Sequence, residues 1–302
     1  MAPIDESPTW KKLMRSKIYH NQVNSWPKGD PRLLAVYYIA EQDYCEWKAT
    51  YEKEEGRLPD SEIDQRSRQE GREGHRALVK SQSEESIHEG ASGPGPTVLG
   101  ESIDAGEEVT TDSQTLVAPL EGFDGPPEAE GEPFYLIGEV DNIVFNEGVP
   151  KAVVERKFVR DRRGEKYSNL EMAYLNELIQ GWIYARILDN LGFDTSELRV
   201  VLLKHHKSLK NDTDHQFDAL NRSVRNVDGP RVATNYGPDG VAVMGSDAET
   251  VAYVEPYRRE AHEEFLANAL SYWRGEREAQ GPDTAGKCRG CGFQKDCPHS
   301  LV

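Results

Sequence analysis

The stretch PFYLIGEVDNIVFNEGVPKAVVERKFV, residues 133–159, decides the fold. Its apolar residues form two runs, 134–145 and 152–159, with the turn-forming Asn146-Glu-Gly-Val-Pro150 between them. Runs of this length bounded by turn chemistry predict a β-hairpin or two adjacent strands. Charged side chains interrupt both: Asp141 in the middle of the first, Glu155 and Lys157 in the second. A carboxylate on an apolar strand costs free energy unless a cation or hydrogen bonds compensate it, and two on neighbouring strands predict a shared cation. Oxygen donors of this kind suit Mg²⁺ or Mn²⁺. Side chains alternate along a strand, so Glu155 and Lys157 project to one face, where the lysine meets whatever the glutamate binds. An ammonium there orients or helps deprotonate an attacking water and offsets charge on a phosphorane-like transition state. The same spacing also fits a strand-end salt bridge facing solvent.

Downstream, Ser168-Asn-Leu-Glu171 has the form of a capping box and opens a helix to about residue 190, which Gly192 stops. Gln180 and Tyr184 are four apart and share one face of it. As isolated residues they also fit boundary positions with wet polar tips. Residues 198–203 and 250–254 predict two further strands, and 258–275 an amphipathic helix. Upstream, apolar and aromatic residues at near-helical spacing over 31–53 predict a helix that delivers Cys45. Residues 61–80 are charged and helix-friendly, with Gly71 and Gly74 just before His75. A lone histidine on such a helix is ordinarily a solvated one. Strands interleaved with long helices, without an internal repeat, predict an α/β chain with a mixed central sheet.

The net charge of −17 looks hostile to nucleic acid until it is located. Residues 81–150 contain no Lys or Arg and sixteen of the 53 acidic residues, so the rest of the 302-residue chain is close to neutral. Gly, Pro, Ser and Glu cluster over 81–132, which predicts an acidic, partly disordered insertion. Two apolar islands in it, Thr97-Val-Leu and Thr115-Leu-Val-Ala, have the composition of short strands. By contrast, residues 151–166 hold seven cations (Lys151, Arg156, Lys157, Arg160, Arg162, Arg163 and Lys166) against Glu155, Asp161 and Glu165. This basic lip beside Glu155 would attract backbone phosphates, and Tyr167, Tyr174 or Trp182 would stack bases of a single strand. A solvated hairpin loop is the plainer alternative. Lys204-His-His-Lys207 is a second basic spot, expected at the surface and without chemistry. No apolar run approaches the roughly 20 residues needed to span a bilayer, and the composition is that of a soluble, cytoplasmic protein.

Four cysteines are split one and three. Cys45 is alone, while Cys288, Cys291 and Cys297 crowd the tail. Thiolates are soft ligands, and four complete either an iron–sulfur cluster or a zinc site. Structural zinc ribbons bring two close pairs of cysteines; one remote ligand and spacings of three and six favour a cubane cluster, with zinc left open. Disulfides are least expected, because no secretory signal opens the chain.

Taken in order, Gly71-x-x-Gly-His75, Gly138-x-x-Asp141, Glu155-x-Lys157 and Gln180-x-x-x-Tyr184, framed by one upstream and three downstream cysteines, resemble the RecB-like branch of the PD-(D/E)XK nucleases. Within that branch the chain looks most like the Cas-four type of CRISPR-associated exonuclease. The resemblance implies a restriction-endonuclease-like core and a metal held by His75, Asp141, Glu155 and the backbone carbonyl of Arg156. It makes Lys157 the catalytic lysine, with Gln180 and Tyr184 supporting it. Cys45, Cys288, Cys291 and Cys297 become ligands of a [4Fe-4S] cluster that pins the terminal segments over the DNA path, and Arg160, Arg162, Arg163 and Lys166 become DNA contacts. The implied activity is metal-dependent, 5′ to 3′ exonuclease action on single-stranded or frayed DNA ends, trimming fragments for the CRISPR integrase. A stand-alone repair nuclease of the exonuclease V or helicase-associated kind and a non-catalytic, cluster-bearing DNA-binding subunit are the alternatives. The expected organisation is a helical segment at 1–80, the acidic insertion at 81–132, a nuclease core at 133–275 and a cluster tail at 276–302. The acidic stretch between His75 and Asp141 is longer than such a compact enzyme needs.

Overall fold

In the computed structural model, the described residues are 8–54, 108–111, 113–160, 169–225, 231–232, 241–244 and 249–302. The hairpin predicted from the turn chemistry is formed by β5 (Asn142–Asn146) and β6 (Val149–Val159), which pair antiparallel with Asn146 opposite Val149. Glu147 and Gly148, the two central residues, both have positive φ, 51° and 75°. That is the geometry of a primed two-residue turn, whose twist matches the strands it joins. The register shifts between Val144 and Phe145, where Pro150 enters the ladder, a place a residue without an N–H tolerates.

The first apolar run is not one strand. β4 (Pro133–Val140) lies in a three-stranded sheet of order β1-β4-β3, with β1 at Leu33–Ala35 and β3 at Gln114–Asp124. β5 begins a second sheet, of order β2-β5-β6-β7-β10-β9-β8. Its other members are β2 (Glu108–Thr110), β7 (Arg199–His206), β8 (Arg231–Val232), β9 (Val241–Met244) and β10 (Thr250–Pro256). Asp141 is the single residue between the two sheets. β1 runs parallel to β4, and β6 parallel to β7, while the other described pairs are antiparallel. Both sheets are therefore mixed, and the chain is mixed α/β.

The acidic range 81–132 contributes to this core from residue 108 onward. The island at Thr115 is part of β3, whose Leu116, Val117, Ala118 and Leu120 are buried. The island at Thr97 and the predicted helix at 61–80 lie outside the described residues.

Between β6 and β7 runs helix α4 (Leu175–Asn190); of the helices that precede it, α1 is Pro8–Asn24, α2 Val36–Tyr44 and α3 Glu46–Glu54. The capping box is real but sits later than expected. Glu177 accepts the Tyr174 N–H, whereas Asn169–Glu171 is a 3₁₀ turn. α4 is buried along most of its length and seats Gly181 on β7, where an added Cβ would come within 2.3 Å of Val200 Cγ1. Any side chain there would lift the helix from the sheet. Gly192, with φ of 86°, ends the helix region as predicted.

The larger sheet is covered on both faces. Val153, Val200, Leu202, Val251 and Tyr253 pack towards α4 and the smaller sheet. Val144, Ala152, Val154, Val201, Leu203 and Val254 pack on the other side with Ala219 and Leu220 of α5 (Thr213–Arg225). The helix expected at 31–53 is interrupted twice: residues 33–35 join a sheet, and Cys45, with extended backbone, separates α2 from α3. The helix expected at 258–275 is α6 (Arg259–Trp273), followed by the short α7 (Ala285–Arg289). Among the described residues, no helix is long and apolar enough to cross a membrane.

Residues 42–46 meet the segment 269–287. Glu46 pairs with Arg277, its N–H donates to the Gln280 carbonyl at 3.2 Å and its carboxylate accepts the Gln280 N–H at 2.6 Å; the Lys287 amine donates to the Asp43 carbonyl at 2.8 Å. Gln42 donates to the Ala269 carbonyl at 3.1 Å. These contacts draw the cysteine-bearing tail against the break at Cys45.

Candidate active site and thiol pocket

Strand register brings the two carboxylates together. Ile143 pairs with Val153, so Asp141, two residues before the one, and Glu155, two after the other, are carried to the same face of the larger sheet. Both are nearly buried, 8% and 6% exposed. The Arg156 backbone N–H donates to Asp141 Oδ2 at 2.7 Å, which fixes this carboxylate across the gap between the sheets. Lys157 Nζ donates to Glu155 Oε1 at 2.5 Å and to Gln180 Oε1 at 3.2 Å. Tyr184, one turn along α4, donates its hydroxyl to the Glu139 carbonyl at 2.7 Å. Asp141, Glu155, Lys157, Gln180 and Tyr184 thus belong to one constellation, supplied by the junction between β4 and β5, by β6 and by α4.

The electrostatics agree with this geometry. Burial pulls the Lys157 ammonium towards neutrality, but Glu155, with help from Glu177 and Asp141, outweighs it and holds the pKa above the ordinary lysine value. Burial also pushes Tyr184 well up, and the charges of Glu155, Asp141 and Glu139 push it further. Lys157 is therefore an ammonium and Tyr184 a neutral phenol across the neutral pH range. A cationic donor beside two acidic oxygens can stabilise charge developing on a phosphoryl oxygen.

Other expected site residues are placed differently or not at all. His75, Arg162, Arg163 and Lys166, together with Tyr167, lie outside the described residues. Arg156 offers only its backbone to the site: its side chain is 1% exposed and reaches Gln216 on the opposite sheet face, so it is no part of a basic lip. Lys151 pairs with Glu197. Arg160 is half-buried, and its carbonyl accepts a hydrogen bond from His206 Nε2 at 2.5 Å. Trp182 does not face a strand of nucleic acid. It is buried, stacked on His262 with ring centroids 4.3 Å apart, and its indole N–H donates to Glu255. Tyr174 remains at the surface, 38% exposed. Lys204, His205 and His206, expected at the surface, are buried. Their strand runs through His206, beyond the expected end at 203, and Lys204 shares the face of Val200 and Leu202. The sequence signal for this is the period-two alternation Val200, Leu202, Lys204 and the helix face Glu177, Gln180, Tyr184, which shows the positions but not that Glu177 lies over Lys204.

The Trp182 neighbourhood carries a pH signature. Burial pushes Glu255 up to about 7, against the opposing charge of Arg258. Burial, and then Arg258, pushes His262 down to about 4. An acid raised in the folded state loses stability as pH climbs from about 4.5 to about 7, while a histidine lowered there gains it from about 4 to about 6.5. The two slopes oppose. Glu255→Gln keeps an acceptor for Trp182 and removes the first slope. Its stability advantage over the parent should grow with pH to the order of 2–3 kcal/mol above pH 7. Denaturant melts at pH 5 and pH 8 check this, and an advantage equal at both would contradict it.

All four cysteines are free and line one pocket, with Tyr44, Tyr51 and Phe293 around them. Its unfilled space is about 330 Å³ including the open mouth. Burial pushes the Cys45 and Cys291 thiols up. Two lysines, Lys48 and Lys287, and no carboxylate belong to the lining. Four soft sulfur donors with cations nearby are a donor set that fits an anionic iron–sulfur cluster. The Leu301 N–H points to Cys288 Sγ at 3.4 Å, a donor of the kind that tunes cluster potential. Among the described residues, no three His, Cys, Asp or Glu side chains converge closely enough to hold a single metal ion. At the carboxylate site the described hard donors are Asp141 and Glu155, a pair whose chemistry fits Mg²⁺ or Mn²⁺ with water filling the remaining positions. The chain matches no protein-family model and no curated protein.

Proposed function

We propose that this protein is a divalent-cation-dependent nuclease that hydrolyses DNA phosphodiesters from single-stranded or frayed ends, on a PD-(D/E)XK-like core of the Cas-four kind. One observation carries the reading: the Lys157 ammonium held between the Glu155 carboxylate and the Gln180 amide, on the sheet face to which Asp141 is also carried. A bound Mg²⁺ or Mn²⁺ supplies Lewis-acid stabilisation of phosphoryl charge. Asp141 and Glu155 would hold it, with His75 and the Arg156 carbonyl as further ligands. Lys157 donates from Nζ to the attacking water or a phosphoryl oxygen, and Gln180 keeps that amine in place between turnovers. Tyr184, neutral and bonded to the Glu139 carbonyl, fixes the end of β4 next to Asp141. Arg160, with Arg162, Arg163 and Lys166, would bring phosphates to the site, and the exposed Tyr174 would stack a terminal base.

The four-thiol pocket is assigned a [4Fe-4S] cluster that ties the chain ends together. The biological role that follows from the resemblance is trimming of DNA fragments for a CRISPR integrase, with 5′ to 3′ polarity. Incubation of end-labelled single-stranded DNA with the purified protein and Mn²⁺ tests the activity. Progressive shortening from the 5′ end, abolished by a chelator and restored by Mn²⁺, is expected. No shortening by an iron-replete preparation with either cation would reject it.

A further inference from the structure

Lys157 has a cationic neighbour that the reaction as described does not use. Lys204 stands directly beside it in the parallel β6–β7 register and is 0% exposed. Its amine donates to Glu177 Oε2 at 2.8 Å, to Glu177 Oε1 at 3.1 Å and to the Met172 carbonyl at 2.8 Å. It also lies 4.8 Å from the centre of the Tyr174 ring. An ammonium has three hydrogens, and these contacts occupy them. Glu177 in turn caps α4 by accepting the Tyr174 N–H at 3.2 Å, and it lies three residues before Gln180 on the same helix face. Burial pulls the Lys204 amine below its ordinary value and the Glu177 charge opposes that pull, while the same carboxylate also adds to the field that favours the Lys157 ammonium. One carboxylate therefore sits within reach of two lysines, and the contacts show which one holds it.

We propose that Lys204 is a positioning residue: it holds the Glu177 carboxylate away from Lys157, leaving the Lys157 amine to Glu155 and Gln180. The reason is the cost of an uncompensated buried charge. Without Lys204, Glu177 must find another cation, and among the described residues Lys157, next to Lys204 in the register, is at hand. Taking it would draw the amine from Glu155 and displace the Gln180 amide, which lies on the same helix face. The catalytic consequence rests on the nuclease reading; the geometric claim does not.

The test uses Lys204→Met, which keeps the length of the side chain without its charge, and Lys204→Met/Glu177→Gln. In a crystal structure of the single variant, Glu177 should lie within hydrogen-bond distance of Lys157 Nζ, and the Lys157–Gln180 contact should be broken. The double variant, whose amide needs no cation, should restore that contact. In DNA degradation the single variant should lose roughly 10–100-fold in kcat at unchanged KM, and the double variant should recover most of it. A general loss of fold would not be repaired by removing a second charged partner. An intact Lys157–Gln180 contact in Lys204→Met, or an unchanged kcat, overturns the proposal. Should that variant fail to fold, a crystal structure of Glu177→Gln decides: the Lys157–Gln180 contact is expected to persist, and its loss overturns the proposal. If the parent protein cleaves no DNA, the nuclease reading fails while the structures still decide what Lys204 does.

Discussion

Lys157→Ala is expected to lower Mn²⁺-dependent DNA degradation by at least about a hundredfold while the protein remains folded. The amine is bonded to the Glu155 carboxylate, and it is fixed from the helix side by Gln180. Alanine removes the donor that offsets charge on the reacting phosphate and leaves Gln180 with nothing to hold. Because the Glu155 side chain is only 8% exposed, the substitution also takes a cationic partner from a nearly buried carboxylate. Its stability cost is of the order of 1–3 kcal/mol. That loss is small against a core that buries both sheets, so activity and stability should separate: kcat collapses while the denaturation midpoint moves modestly. Steady-state degradation rates and urea melts on the same preparations check both halves. Retained degradation in a clean preparation would reject the assignment of Lys157.

The second large effect concerns the thiols. Anaerobically purified protein should be brown and carry about four iron atoms and four sulfides per chain, and Cys288→Ala should be nearly colourless. Cys288 is buried, lines the same pocket as the other three cysteines and receives the Leu301 N–H. Loss of one ligand from a four-ligand set removes most of the binding free energy, and whatever binding contributed to stability goes with it. The variant should therefore melt earlier than the parent. It should still fold, because Glu46–Arg277 and the Lys287–Asp43 carbonyl contact join the tail to the segment around Cys45 without metal. Iron and sulfide assays with visible spectra are the measurement. A colourless parent loaded with zinc would replace the cluster by a zinc site.

Local chemistry made much of this legible in the sequence. The turn at 146–150, the strands beginning near 198 and 250, the stop at Gly192 and the final amphipathic helix are set by residues that act within a few positions of themselves. What was not legible depends on partners distant in sequence. The run 134–145 carries Gly138 near its centre, but β4 continues through that glycine, paired with Leu116, so it does not mark the change of sheet at Asp141; only pairing to β3 on one side and β6 on the other separates β4 from β5. The backbone at Cys45 is extended in a stretch whose spacing is helical, and Glu46 there bonds to Arg277 and Gln280, more than 230 residues away. A capping box was visible at Ser168, but the helix cap is Tyr174, whose N–H is accepted by Glu177, and tyrosine is not among the residue types that normally signal a helix start. Burial of Lys204 required knowing that Glu177 would lie over it. At the site, Glu155, Lys157, Gln180 and Tyr184 were recoverable from period-two and period-four spacing, and Asp141 from its cost on an apolar strand. The alliance of Glu177 with Lys204 was missed because a lysine followed by two histidines has the composition of a surface.

The central claim is spatial, that Asp141 and Glu155 share one hard cation. Diffraction from crystals soaked in Mn²⁺, collected at the manganese edge, addresses it directly. A single anomalous peak about 2.1 Å from a carboxylate oxygen of each residue, with His75 as a neighbour, is the predicted result. Crystals that give no peak between those carboxylates, at Mn²⁺ concentrations that support full DNA degradation, would contradict it.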